Sequence, residues 1–256
     1  MRILLIKPRW FHNGDGYKFV DLTRVAPLNL GIIAALSEGH EVKIIDEDME
    51  SIAYSSEWDI AGITVATFTS KKAYEISNNF RSLGVKTVLG GIHPSLMPDE
   101  CLQHADAVVI GEAENVWTEV LDDISHGSLK KIYHGGYIRD LDKIPFPRRD
   151  LFPKQYFSGP LQITRGCVNA CRYCYLQSVP WKEWRKRENL DRVCEEIRQI
   201  ENKNIFIIDD NLFVDLDYAK RVCESIAPLK RNFGIQAPTT IAKDDELLEK
   251  LKCWLL

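Results

Sequence analysis

The sequence predicts an α/β protein: a doubly wound parallel sheet followed by a shorter second set of β/α units. Three observations carry this reading. Short β-branched runs alternate with helical periodicity from Arg2 to His126. The alternation stops across 127–160, where prolines and glycines gather. It resumes at Leu161 and continues toward the end of the chain.

In the first part the strand candidates are Arg2–Lys7, Glu41–Asp46, Ile60–Ala66, Val85–Leu89 and Ala107–Ile110. Between and after them, helices are expected at Pro27–Ser37, Ser70–Leu83, Pro98–His104 and Ala113–His126. Gly39 and Gly84 stand where helix C-caps are expected. Five parallel strands suit the flavodoxin-like order 2-1-3-4-5, which binds ligands at the carboxyl ends of its strands. A domain over 1–126 follows, then a linker over 127–160 with a hairpin around Lys131–Arg139. Gly135-Gly136, Pro145, Pro147, Pro153 and Gly159-Pro160 all disfavour regular pairing there.

The second part, 161–256, opens with a strand at Leu161–Thr164. Asn189 can cap a helix whose apolar stripe is Leu190, Val193, Cys194, Ile197 and Ile200. Ile205–Ile208 and Phe233–Gln236 read as strands, Leu216–Leu229 and Asp244–Lys252 as helices. These make three β-α units of a barrel-like parallel fold. Cys253-Trp254-Leu255-Leu256 reads as the start of a fourth strand.

The chain has 256 residues, 45% of them hydrophobic, so it can bury a sizeable core. A net charge of −4 speaks against a nucleic-acid or anionic-membrane surface. No apolar run approaches the roughly 20 residues needed to span a bilayer. Met1 runs straight into the first strand, so no cleavable leader is expected, and a reducing cytoplasm is the expected location.

The most specific chemistry lies in Thr164-Arg165-Gly166-Cys167-Val168-Asn169-Ala170-Cys171-Arg172-Tyr173-Cys174. Cys167, Cys171 and Cys174 form C-x-x-x-C-x-x-C just after a strand. Three thiolates leave one iron of a cubane cluster without a protein ligand. Structural zinc is the competing reading, but it wants a fourth ligand. The nearest cysteine, Cys194, falls on a buried helix stripe, and no histidine follows His134. A disulfide with a spare thiol suits a reducing compartment poorly. The remaining cysteines, Cys101, Cys194, Cys223 and Cys253, read as buried inert thiols. The cluster reading requires the three sulfurs to share one metal centre.

With Arg165-Gly166 before the first cysteine and Tyr173 before the last, this loop resembles the radical SAM superfamily. The resemblance implies a [4Fe-4S] cluster on Cys167, Cys171 and Cys174, with its open iron on S-adenosyl-L-methionine. Reductive cleavage then yields a 5′-deoxyadenosyl radical, and Tyr173 contacts the adenine. It also implies that 161–256 is about half of a radical SAM β/α barrel. An electron donor and a small-molecule substrate are the implied partners, and a second chain completing the barrel is a further one.

In the first domain, no G-x-G-x-x-G follows the first strand. Three strand-end loops stand out instead: Thr64-Val65-Ala66-Thr67-Phe68-Thr69, Gly90-Gly91-Ile92-His93-Pro94 and Gly111-Glu112-Ala113-Glu114. Glycine lets backbone approach a ligand, and hydroxyls and amides supply hydrogen bonds. Together with Pro27-Leu28-Asn29-Leu30-Gly31 and Ile144-Pro145-Phe146-Pro147, these blocks resemble the cobalamin-binding domain attached to many radical SAM enzymes. Cobalamin contacts are thus expected at Thr64, Thr67, Thr69, Gly90, Gly91, His93, Gly111, Glu112 and Glu114. None of the histidines (His12, His40, His93, His104, His126 and His134) has aspartate two positions before it. No histidine ligand to cobalt is expected; His93 shapes its loop or hydrogen-bonds the corrinoid.

Asp209-Asp210-Asn211 ends a barrel strand, where functional groups gather. Asp209 and Asp210 are expected to help position S-adenosylmethionine or substrate. Trp181–Arg187 mixes aromatics and cations and reads as a solvated flank of the loop rather than a nucleic-acid surface. The resemblance implies alkylation of an unreactive carbon, usually methylation, with cyclisation or rearrangement as the alternative chemistry. A non-catalytic corrinoid carrier with a vestigial loop is the rival class.

Overall fold

The computed structural model describes residues 1–10 and 25–252. His12, Cys253 and the fourth strand expected at Cys253–Leu256 lie outside them. The described residues group into two compact units. The first takes in 1–10, 27–138 and 145–153; the second takes in 25–26, 139–144 and 154–252.

In the first unit, β1 (Arg2–Lys7), β2 (Glu41–Asp46), β3 (Ile60–Thr64), β4 (Lys86–Gly90), β5 (Ala107–Gly111) and β6 (Ile132–Gly136) form one parallel sheet. Its order is β2-β1-β3-β4-β5-β6. The expected five-strand order is met, and a sixth strand extends it. That sixth strand overturns the hairpin expected around Lys131–Arg139. Tyr133 sits at its centre, 2% exposed, and supplies enough burial to hold the segment in the sheet.

Helices cover both faces. These are α1 (Leu28–Ala35), α2 (Ser70–Ser82), α3 (Ile92–Leu96), α4 (Pro98–Cys101) and α5 (Trp117–Ser125). Because strand side chains alternate, Ile3, Leu5 and Ile60 pack with Leu30, Trp117 and Val120 on one face. Leu4, Ile6 and Ile63 pack with Ala73, Ile76 and Phe80 on the other. The helix expected at Pro98–His104 starts at Pro98 but ends at Cys101, and a separate short helix, α3, precedes it. Proline at position 98 suits a helix start, not an interior, so the chain breaks at Met97. The helix expected from Ala113 begins as a 3₁₀ turn, Ala113–Asn115. Gly84 follows the C-cap Leu83 of α2 as expected, whereas Gly39 sits in a turn beyond the C-cap Leu36 of α1. A side chain at Gly31 would strike Phe152 at 2.5 Å and Pro147 at 2.9 Å. Two sequence blocks far apart in the chain thus meet at α1.

In the second unit, β7 (Ser158–Leu161) precedes a two-strand antiparallel ribbon of β8 (Thr164–Arg165) and β9 (Arg185–Lys186). Next come α6 (Leu190–Gln199), β10 (Asn204–Ile207), α7 (Leu216–Ile226), β11 (Asn232–Ile235) and α8 (Asp245–Lys252). The parallel sheet runs β11-β10-β7, so the three β-α units are present. The first strand lies three residues earlier than expected and includes Pro160. Proline is tolerated because β7 lies at the edge of that sheet, with only an isolated bridge from Val25 to Ser158, among the described residues, beside its pairing with β10. Leu161, Ile197, Ile205, Val222, Ile226 and Leu247 share its core. Asn189 caps α6 as expected, its side chain accepting from the backbone of Arg192.

Candidate functional site

The first unit brings Thr64, Thr67, Gly90, Gly91, His93, Gly111 and Glu112 to the carboxyl edge of its sheet, at the ends of β3, β4 and β5. Gly91 has φ +107°, and a side chain there would lie 2.9 Å from the Val65 carbonyl. Only glycine lets the ends of β3 and β4 close up this way. Thr64 Oγ1 accepts from Asn29 Nδ2 at 2.8 Å, so the start of α1 belongs to the same edge.

His93 is 4% exposed and held from two sides. Tyr74 donates its hydroxyl proton to Glu100 at 2.9 Å, so His93 Nε2 donates to the Tyr74 oxygen, also at 2.9 Å. Nδ1 faces Thr67 Oγ1 at 3.4 Å. Burial, with Cys101 and Glu100 beside it, pushes the Tyr74 pKa up and keeps that proton in place. His93 therefore braces the loop carrying Thr67. Ser95, which the sequence reading missed, ties two strand ends together: its hydroxyl donates to Gly91 O at 2.8 Å and accepts from Gly111 N at 3.0 Å.

Two expected contacts turn inward. Thr69 is buried and its hydroxyl caps the 3₁₀ turn, accepting from Ala66 N at 3.1 Å. Glu112 accepts from the backbone of Ile138, which secures the segment after β6. Glu114 lies in the 3₁₀ turn Ala113–Asn115. Phe68, at 62% exposed, stacks on Trp10, at 53%, with ring centroids 5.1 Å apart. This pair was not read from the sequence, although an aromatic between two threonines was the available signal.

The residues fit a corrinoid. At Gly90 a side chain would meet only Val109, at 3.9 Å, so this strand end has room for a ligand to lie close. Thr64 pairs with Gly90, and the Phe68–Trp10 pair follows β3 and β1 at the same edge of the sheet. Both ring nitrogens of His93 already have partners.

In the second unit, Asp209, Asp210 and Asn211 follow β10 and act in sequence on the cysteine loop. Asp209 Oδ1 accepts from Ile163 N, and Oδ2 accepts from Thr164 N and Thr164 Oγ1, each at 2.8 Å. It is 4% exposed, and burial pushes its pKa up to about 7. Its oxygens serve the backbone leading into the loop, so the expected part of Asp209 in positioning S-adenosylmethionine or substrate would run through that backbone. Asp210 accepts from Gly166 N at 2.8 Å. Gly166 has φ +86°, and a side chain there would lie 2.3 Å from Glu183 O. Asn211 Nδ2 donates to Cys167 Sγ at 3.8 Å.

Trp181–Arg187 is not a solvated flank. Arg185 and Arg187 are buried, Trp184 Nε1 donates to Asn211 O at 3.0 Å, and Arg187 pairs with buried Glu196 at 2.6 Å. The segment pairs with Thr164–Arg165 and forms the far wall of the loop's first half.

Cys167, Cys171 and Cys174 are reduced and partly exposed, and Tyr173 is 93% exposed. Cys174 N donates to Cys171 O at 3.0 Å, which turns the chain between those two cysteines. Among the described residues, no three of His, Cys, Asp and Glu gather closely enough to hold a metal ion. The expected convergence of the three sulfurs is therefore not met among the described residues. The donor set fits a cluster in kind, as three free thiols on one short loop, and holding one would require the sulfurs to draw together. Cys101, Cys194 and Cys223 are buried, as expected.

Residues 23–121 match the family described as B12 binding domain. This chain carries a B12-binding domain. It is 31% identical over 252 residues to the bacteriochlorophyllide d C-8(2)-methyltransferase of Chlorobaculum tepidum, covering 84% of this chain and 53% of the relative. The bacteriochlorophyllide d C-12(1)-methyltransferase of the same organism is 29% identical, covering 87% and 52%. The hopanoid C-3 methylase of Methylococcus capsulatus is 25% identical, covering 80% and 46%. The chain spans about half the length of these curated relatives. The resemblance to the cobalamin-binding radical SAM family is borne out at this level: a B12-binding domain is present, and relatives aligned along most of the chain are methyltransferases. Among the described residues, no helix is long and apolar enough to cross a membrane.

Proposed function

We propose that this chain is the cobalamin-binding and S-adenosylmethionine-activating portion of a methyltransferase acting on an unreactive carbon. The observation that carries the reading is a B12-binding domain followed, in one chain, by a three-thiol loop that leaves a short antiparallel ribbon just after the parallel strand β7. Bound cobalamin supplies a methyl group, and a bound cluster with S-adenosylmethionine supplies a hydrogen-abstracting radical.

The chain's own residues hold and orient. Gly90, Gly91, Thr64 and Thr67 would receive the corrinoid at the sheet edge, with His93 and Ser95 stiffening the loops beneath it. Cys167, Cys171 and Cys174 would hold the cluster, and exposed Tyr173 would meet the adenine. Asp209 and Asp210 fix where the loop begins. A small-molecule substrate and an electron donor complete the proposal. The named relatives act on unlike molecules, so no substrate is assigned.

Anaerobic reconstitution with ferrous iron, sulfide, cobalamin and reductant tests this. The expected result is bound cobalt together with iron and sulfide, the last two in equal amounts, and 5′-deoxyadenosine formed from S-adenosylmethionine. A second reading, a corrinoid carrier with a vestigial loop, is favoured by the ungathered sulfurs. Cobalamin retained without iron or nucleoside product would establish the carrier instead.

A further inference from the structure

Asn211 is fixed in a way that its neighbours are not. It is 7% exposed, and its side-chain oxygen accepts from Phe213 N at 3.0 Å, capping the 3₁₀ turn Leu212–Val214. That bond decides which half of the amide is which: the NH₂ group is the half facing Cys167 Sγ, at 3.8 Å. Its backbone oxygen is held by Trp184 Nε1. Cys167 is held at its other end, its N–H donating to Lys182 O at 3.1 Å. One cysteine of the three is thus placed by the fold, with an oriented neutral donor aimed at its sulfur.

We propose that Asn211 is a positioning residue for the iron–sulfur cluster. It fixes Cys167 as the first ligand and, through an N–H···S hydrogen bond, raises the cluster's reduction potential. This rests on the cysteine loop binding a cluster. Adding an electron increases negative charge on the ligating sulfurs, so a donor to sulfur favours the reduced state. The donor is rigid and desolvated, so it needs little reorganisation when the electron arrives.

The test compares wild type, Asn211→Ser and Asn211→Ala, each as the whole chain reconstituted anaerobically with ferrous iron and sulfide. Serine retains an oxygen to cap Phe213 N but lacks the reach to Cys167; alanine removes both. Cluster potential is followed by electron paramagnetic resonance during a redox titration, and folding by thermal unfolding. Both variants are expected to lose the reduced form about tenfold at a fixed poise, about 59 mV for one electron. The serine variant is expected to unfold near the wild-type temperature and the alanine variant below it. A serine variant with full iron and an unchanged potential overturns the proposal while leaving the cluster reading intact. Wild type that binds no cluster overturns both.

Discussion

Asp209 offers a direct check on the forces around the cysteine loop. Its carboxylate accepts three hydrogen bonds, from Ile163 N, Thr164 N and Thr164 Oγ1. Those donors favour the charged form, while burial opposes it and wins, moving the pKa from 3.8 to about 7. Between those values the folded chain keeps a proton that the unfolded chain has released. Rising pH therefore costs stability across that window, and the contribution present below pH 3.8 is gone above about 7. At about 1.4 kcal/mol per pH unit, wild type should lose about 2–3 kcal/mol between about pH 5 and about pH 8 from this group. The Asp209→Asn variant has no titrating group at this position. Its amide also turns an NH₂ group toward at least one backbone N–H, costing about 1–3 kcal/mol. Urea unfolding of both proteins at several pH values gives the difference directly. The deficit of the variant should shrink as pH rises. A difference that stays constant, or grows with pH, would mean that the donors outweigh burial, and the reasoning fails.

Gly91→Ala should destabilise by about 1–3 kcal/mol, because the new methyl meets the Val65 carbonyl at 2.9 Å and φ is positive. Its cobalamin should be lost on gel filtration where wild type retains it; equal retention would remove Gly91 from the site. Glu196→Gln strands the buried Arg187 charge, with about 3–5 kcal/mol of destabilisation expected in urea. A loss under about 1 kcal/mol would show that water or Asp142 compensates Arg187.

Strand and helix alternation was most legible in the first unit, which hides its strands between helices and so leaves unbroken apolar runs such as Ile3–Ile6. Two of the strands that escaped did so for a common reason. Ile132–Gly136 and Ser158–Leu161 are short and rich in glycine or contain proline, so pairing with a neighbour, not local preference, makes them strands. The candidate loops were legible as clusters of glycine, threonine and cysteine at strand ends. Side-chain direction was not. Thr67 meets His93 while Thr69 caps a turn, and Asp209 turns inward while Asp210 meets Gly166. Spacing along a loop carries no periodicity that separates such neighbours. Ser95 was hidden, and Asn211 was legible only as part of the Asp209–Asn211 cluster, since each acts on atoms distant in sequence or on backbone.

The interleaving of the two units bears on how the chain can be dissected. Residues 139–144 belong with the second unit, yet 145–153 return to the first, where Pro147 and Phe152 crowd Gly31. No single scission yields either half intact. Cleavage near residue 126 would also strip Ile132–Gly136 from its neighbour and bare the backbone of Val108–Gly111, an invitation to self-association. Work on the corrinoid half alone calls for a polypeptide that keeps the stretch through Pro153.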